Sequence, residues 1–233
     1  MGASTVWPLA EGRTAFDLWW SGVGDWVEPP NQRRGGESGV LRMRDQDARL
    51  CYVKRQIDHL YRSWLHPLGR PTAMREAAAL RAWRAIGVRV PEVLFSAARQ
   101  VGGQWQALLV TEALEGFQDL EHWYAQGGLE RYGEALHARL LEAIGTTLAR
   151  LHRERWQHGC LYPKHIFFRV HDGEVEVALL DLEKSRRRWS GKRAARHDFR
   201  QLRRHTSWKQ AEWTHLVHGY RLECDRLLRG MTS

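Results

Sequence analysis

The sequence predicts an α+β chain, with a small antiparallel sheet carrying one helix ahead of a larger helical part. Three observations carry this. Strand-like runs cluster in the first half, in "GVLRM", "ARLCYVKRQ", "RVPEVLFSAAR" and "WQALLVTEAL". The links within their pairs, "RDQDA" and "VGGQ", are short and polar or Gly-rich, as hairpins require. Beyond "EGFQDLEHWYAQGG" the apolar spacing becomes helical.

In chain order, residues 1–36 are rich in Gly, Pro and Trp, end in "PPNQRRGGESG", and read as loop around a short strand. The first hairpin follows. "PTAMREAAALRAWRAIGV" opens on Pro71 and closes on Gly87, the two marks of helix start and stop. A second strand pair comes next. In "GEALHARLLEAIGTTLARLHRERW", residues Leu136, Leu140, Ile144, Leu148 and Leu151 share one helical face. The loop "HGCLYPKHIFF" leads to "IFFRV" and "VEVALLDL", joined by the tight-turn signal "HDGE". From about Ser185 the tail is basic and partly helical. This order divides the chain into an N-terminal extension (1–36), a sheet-bearing N-lobe (37–116) and a helical C-lobe (117–233). Strands with one helix, followed by helices, is the architecture of protein-kinase-like folds.

A chain of 233 residues suits one compact domain or a small lobe with a larger one. Its 36 Lys and Arg against 27 Asp and Glu, a net charge of +9, favour an anionic partner. Nucleic acid is not the expected one, because no helix-turn-helix or basic-aromatic platform accompanies the charge. Cys51, Cys160 and Cys224 are widely spaced, which fits a reducing compartment and no zinc site. The N-terminus lacks a basic start and an apolar core, and no run of about 18 apolar residues occurs, so neither signal peptide nor membrane span is expected. There is no internal repeat. The twelve Trp are expected to be mostly core or half-buried.

Phosphoryl transfer needs a cation on a strand, a carboxylate to fix it, metal ligands, and a group that positions the acceptor hydroxyl. Lys54 lies mid-strand in "CYVKRQ" on the same face as Tyr52, and Glu76 lies on the following helix. Taken singly, Lys54 could be a solvated strand lysine and Glu76 a surface carboxylate. Gly36 and Gly39, in "RRGGESG", are candidate phosphate cradles, although their spacing is not that of the usual Gly-rich loop. Glu112, at the end of the second strand pair, is a further candidate nucleotide contact. Asp181 ends an apolar strand and is placed to bind Mg²⁺; a turn or N-cap aspartate is the rival reading. In the loop, His158 stands first, Cys160 third and His165 five residues later. Asp198, in "RHDFRQL", fits a helix residue that braces the loop, or an ordinary helix-start aspartate.

These residues resemble the lipopolysaccharide kinase (Kdo/WaaP) family, and within it the InaA-like branch, over roughly residues 38–205. The likeness runs through "YVKRQ", "LGRPTAMREAAALRAWRAIGVRVPEVLFSA", "HGCLYPKHIFF" and "LLDLEKSR". His158, Tyr162 and His165 in the loop, with Asp181, Leu182 and Lys184 after it, are its specific marks. The resemblance implies a bilobal protein-kinase-like fold and ATP-dependent phosphorylation of a sugar hydroxyl in lipopolysaccharide core, at the cytoplasmic face of the inner membrane. It implies that Lys54 holds phosphates, Glu76 pairs with it, Asp181 binds Mg²⁺, and His165 sits beside the second metal. Cys160 stands where the family carries its catalytic aspartate. A cysteine thiol is mostly neutral near pH 7 and cannot orient a hydroxyl as a carboxylate does. Two expectations follow: a phosphotransferase using ATP and Mg²⁺ on an anionic glycolipid, or a catalytically impaired pseudokinase acting as a nucleotide-binding or stress-response scaffold. The basic stretch "SRRRWSGKRAARH" fits a phosphorylated glycolipid near the acceptor site or, equally, a solvated basic face. The expected location is cytoplasmic, with peripheral contact to the inner membrane.

Overall fold

The computed structural model describes residues 14–33 and 35–229. The expectation of no signal peptide, and Trp7, fall largely on residues outside these. The chain forms two units. The first holds the described residues up to Ala77 and Glu92–Ala113; the second holds Ala78–Pro91 and the chain from Leu114 onward.

The first unit begins with a correction. Where the composition predicts loop around a short strand, helix α1 (Ala15–Ser21) forms as well, and the strand, β1 (Asp25–Arg33), is nine residues long. Thr14 and Asp17 cap α1 reciprocally: the Thr14 hydroxyl accepts from the Asp17 N–H, and the Asp17 carboxylate accepts from the Thr14 N–H. Phe16 and Trp19 then bury the helix on the sheet. Pro29 and Pro30 are tolerated in β1 because it is an edge strand, with its register interrupted between Glu28 and Asn31. The sheet therefore starts before residue 37.

Strands β2 (Gly36–Arg44) and β3 (Leu50–Ile57) form the expected antiparallel hairpin. A hairpin that the sequence pattern does not signal follows, β4 (Leu60–Ser63) with β5 (His66–Pro71). Helix α2 (Thr72–Ala85) leads to β6 (Val93–Val101) and β7 (Gln104–Glu112). The main sheet runs β1-β2-β3-β7-β6, antiparallel throughout. Alternation along central β3 sends Cys51 and Val53 into a core with Phe16, Trp19, Leu41, Leu108 and Val110. The opposite face carries Lys54 and Gln56. At the far end of α2, in the second unit, Gly87 takes φ +75° and the Val88 N–H bonds the Trp83 carbonyl at 3.0 Å, closing the helix as its Gly signal predicts.

The second unit contains short β8 (Gln118–Asp119), α3 (Leu120–Ala125), long α4 (Gly128–Arg153), β9 (Trp156–Gln157), β10 (Ile166–His171), β11 (Glu174–Leu179), β12 (Arg186–Arg187), α5 (Gly191–Arg204) and α6 (Gln210–Arg229). Leu140, Ile144, Leu148 and Leu151 bury the expected face of α4, while Leu136 is half-buried. Gly145 of α4 and Gly219 of α6 let these helices meet closely. A methyl on Gly145 would run into the Leu216 carbonyl oxygen, and one on Gly219 into that of Glu142. The β10–β11 turn is Asp172–Gly173, both at positive φ, the geometry of the tight Asp-Gly hairpin.

Trp19, Trp83 and Trp123 are buried; Trp20, Trp105, Trp156, Trp208 and Trp213 are half-buried; Trp26, Trp64 and Trp189 are exposed. No helix among the described residues is long and apolar enough to cross a membrane.

Candidate functional site

In the first unit, Lys54 Nζ donates to Glu76 Oε2 at 2.5 Å, and both side chains are largely buried. The pair depends on a residue that the sequence pattern does not single out. Gln56, one alternation beyond Lys54 on the same face, is 1% exposed. Its Oε1 accepts from the Ala73 N–H at 2.9 Å, and its Nε2 reaches the Thr72 hydroxyl at 2.9 Å. This fixes the first turn of α2, satisfies one of its orphan N–H groups, and aims Glu76, one turn on, at Lys54. The only sequence signal for Gln56 is the shared parity of positions 54 and 56.

Gly36 and Gly39 both lie in β2. At each, the protein's own chain occupies the space a side chain would take: Asp58 and Ile57 backbone at Gly36, Trp26 and Pro30 at Gly39. Glu112 is the last residue of β7, opposite Cys51, and its N–H bonds the Glu92 carbonyl at 3.0 Å.

In the second unit, the loop from His158 to His165 is held from α5. Asp198, fully buried, accepts from the backbone N–H of His158 at 2.7 Å and of Gly159 at 3.1 Å. His152 Nε2 and His197 Nδ1 approach the same carboxylate at 3.2 and 3.1 Å. Burial pushes the Asp198 carboxyl up, but the hydrogen bond from His152, the neighbouring imidazoles and the His158 N–H together hold it below the usual carboxylate range. Asp198 thus braces the loop. His152 is not among the expected site residues; its one sequence signal is a histidine ending the apolar stripe of α4. Gly159 stands at φ +85°, and a methyl there would lie 2.6 Å from the Lys184 carbonyl oxygen, so the loop and the segment after β11 pass too closely for any side chain.

His158 is fully buried beside Trp83, ring centroids 5.6 Å apart. Burial pushes its pKa down to about 4, so the imidazole is neutral. The Cys160 N–H donates to its Nδ1 at 3.3 Å, which leaves the proton on Nε2. An imidazole so enclosed packs inside the loop between Trp83 and the Cys160 N–H. Cys160 is itself only 3% exposed.

The carbonyl of Cys160 can only accept, so the 2.7 Å bond from His165 Nδ1 places a proton there. Nε2 then faces Asp181 Oδ2 at 3.4 Å. Tyr162 packs on the His165 ring, centroids 5.4 Å apart, and its hydroxyl accepts from Gln201 at 3.0 Å. Asp181 adopts the left-handed conformation, φ 58°, and caps no helix N–H with its side chain. Asp181 thus stands at the start of the 3₁₀ turn Leu182–Lys184, as a turn or N-cap aspartate would, but its partly exposed carboxylate makes no cap bond there.

His165 Nε2 and an Asp181 carboxylate oxygen face each other at 3.4 Å, so a ring nitrogen and an oxygen lie side by side. Among the described residues no group of three metal-binding side chains occurs. Asp181 would suit a hard divalent ion as an oxygen ligand, and His165 would be the weaker donor beside it.

Comparison with known proteins places the fold and then the family. The solved structure of WaaP in complex with acyl carrier protein matches with TM-score 0.68 at 23% identity, covering 90% of this chain and 83% of that one. Amicoumacin kinase hAmiN, in complex with AMP-PNP, Ca²⁺ and Ami, matches with TM-score 0.58 at 13% identity, over 85% and 72% of the two chains. The fold is protein-kinase-like, with an antiparallel sheet in its N-terminal region and a helical C-terminal part, as the order of elements predicts. The model of the lipopolysaccharide kinase (Kdo/WaaP) family matches residues 17–220. Protein InaA of Escherichia coli (strain K12) is 42% identical over 190 residues, 82% of this chain and 87% of that protein. The chain belongs to the lipopolysaccharide kinase (Kdo/WaaP) family.

Proposed function

We propose that this kinase-like protein is a phosphotransferase that uses ATP and Mg²⁺ on a sugar hydroxyl of a lipopolysaccharide-core-type glycan. The observation that carries this reading is the Lys54–Glu76 ion pair, formed at 2.5 Å although the residues lie on different elements. An ammonium fixed by a buried carboxylate is the device with which kinases neutralise phosphate oxygens. The AMP-PNP held by the amicoumacin kinase supports nucleotide use. When bound, Mg²⁺-ATP supplies the transferable phosphoryl group and neutralises its charge. Lys54 orients phosphate oxygens, Asp181 and His165 hold the metal, and Asp198 keeps the loop between His158 and His165 in shape. The exposed Arg186 and Arg187, which follow Asp181 closely in the chain, suit an anionic glycolipid at a cytoplasmic membrane surface.

Cys160 favours a second reading, a pseudokinase that binds nucleotide without transferring phosphate. A thiol that is 3% exposed is a poor partner for an acceptor hydroxyl. Loose phosphoryl transfer still proceeds by positioning, so the thiol slows the step rather than forbidding it.

Two measurements separate these readings. Mg²⁺-ATP raises the melting temperature of the wild type, and Asp181→Ala abolishes the rise; no shift at millimolar ATP removes both readings. Phosphate transfer from labelled ATP to core glycolipid is then compared between wild type and Cys160→Asp, which is expected to be faster by about 10²–10⁴-fold. A silent wild type with an active aspartate variant establishes the pseudokinase.

A further inference from the structure

The β4–β5 hairpin carries apolar side chains that nothing among the described residues covers. Ser63 pairs with His66, so Trp64 and Leu65 form the two-residue tip. Trp64 is 102% exposed, Leu65 87% and Leu68 90%. Scattered exposed apolar residues are ordinary in soluble proteins, but a fully exposed indole with two leucines in five residues makes a contiguous patch. The hairpin presents this patch in a defined shape. Gly69, at φ +95°, packs on the Leu60 side chain; Arg75 stacks over the Tyr61 ring at 4.4 Å; and Arg70 lies 3.3 Å from His66.

The collar of this tip has one sign. From His59 to Arg75 the chain contains Arg62, Arg70 and Arg75, two histidines and no Asp or Glu. Arg62 and Arg70 are exposed. An apolar tip containing Trp above an arginine collar matches the boundary of an anionic bilayer, where indoles sit at headgroup level and guanidinium groups meet phosphates.

We propose that the β4–β5 hairpin docks the protein on an anionic lipid bilayer, with Trp64, Leu65 and Leu68 entering the headgroup–acyl boundary and Arg62 and Arg70 remaining at the phosphates. A two-residue turn is convex and offers no groove, so a protein partner needs a preformed pocket to receive it, whereas a fluid bilayer needs none. A second copy of the chain would set two basic collars against each other. The proposal goes beyond the catalytic reading and does not depend on whether Cys160 permits transfer.

The test is flotation of the full chain with phosphatidylcholine vesicles, with and without phosphatidylglycerol. Wild type is expected to float with the anionic vesicles, less so at high salt, and to stay behind with the neutral ones. Joint replacement W64S, L65S and L68S lowers the partition coefficient by at least about tenfold. Arg62→Gln and Arg70→Gln lower it roughly fivefold each. All variants are expected to keep the wild-type melting temperature and its response to Mg²⁺-ATP, so vesicle binding and the nucleotide reading fail separately. Brominated acyl chains should quench a fraction of tryptophan emission that Trp64→Phe lacks. Equal flotation of the triple variant and wild type, or no flotation of wild type, overturns the proposal. A dimer lost in the triple variant, or its loss of binding to acyl carrier protein, with no vesicle binding by wild type, reassigns the patch to a protein partner.

Discussion

The carboxylate of Asp198 accepts the backbone N–H of His158 at 2.7 Å across 40 residues of chain, and this bond sets the start of the loop. The carboxylate is fully buried and takes the Gly159 N–H as well. Asp198→Ala leaves the backbone N–H groups of His158 and Gly159 and the buried His152 ring without this acceptor, and is expected to cost on the order of 3–5 kcal/mol in urea unfolding. Asp198→Asn keeps the shape but turns one oxygen into a donor facing a backbone N–H, and should fall between. A loss under about 1 kcal/mol for the alanine variant would show that the brace is not needed.

The Lys54–Glu76 pair makes a different prediction, because it acts on ligand rather than on fold. Glu76→Gln keeps volume and removes the charge that fixes Lys54. Affinity for Mg²⁺-ATP by calorimetry should fall roughly tenfold, and Lys54→Met should lower it further. Gln56→Leu breaks the seat of α2 without touching either partner and should weaken binding in the same direction. Unchanged affinity in all three variants would detach this pair from nucleotide binding.

The pH dependence of stability follows from His158. Burial pushes its folded-state pKa to about 4, below its ordinary value near 6.5. Between these values the unfolded chain binds a proton that the folded chain refuses, so stability rises with pH there. As pH falls from about 6.5 to about 4, stability should drop by up to roughly 3 kcal/mol from this group. Buried His137, its pKa also pushed down by burial, adds in the same direction. Asp198, held low, begins to cost stability only below the ordinary carboxylate range. Urea midpoints measured from pH 7 to pH 5 should slope for wild type and slope less in His158→Gln, where His137 still contributes; identical slopes would contradict the assignment.

The close passage of α4 and α6 is testable with single methyl groups. Gly219→Ala and Gly145→Ala each drive a Cβ into a carbonyl oxygen of the other helix. Overpacking of this kind should cost about 1–3 kcal/mol by thermal or urea unfolding. Gly173→Asn is the control, since its Cβ meets nothing and asparagine accepts its positive φ.

Features set by neighbours in the chain are legible in the sequence by itself. The Asp172–Gly173 turn, the Gly87 stop of α2, the apolar face of α4 and the alternation of β3 rest on contacts within a few residues, and each forms where the pattern puts it. The order of Lys54, Glu76, His158, His165 and Asp181 is likewise readable, and with it the family. The Pro- and Gly-rich start shows a short strand but hides its full length, which pairing with β2 sets, and it hides α1, whose capping lies in two residues, Thr14 and Asp17.

What only the tertiary structure decided depends on which faces meet. Gln56 seating α2 under Lys54, His152 joining Asp198, and the Cys160 carbonyl fixing the proton on His165 Nδ1 are contacts whose partners no local pattern names. Exposure is of the same kind. Trp64 and Trp83 are the same residue in sequence, yet one is fully exposed and the other fully buried, because burial belongs to the packed surfaces around a side chain and not to the side chain alone.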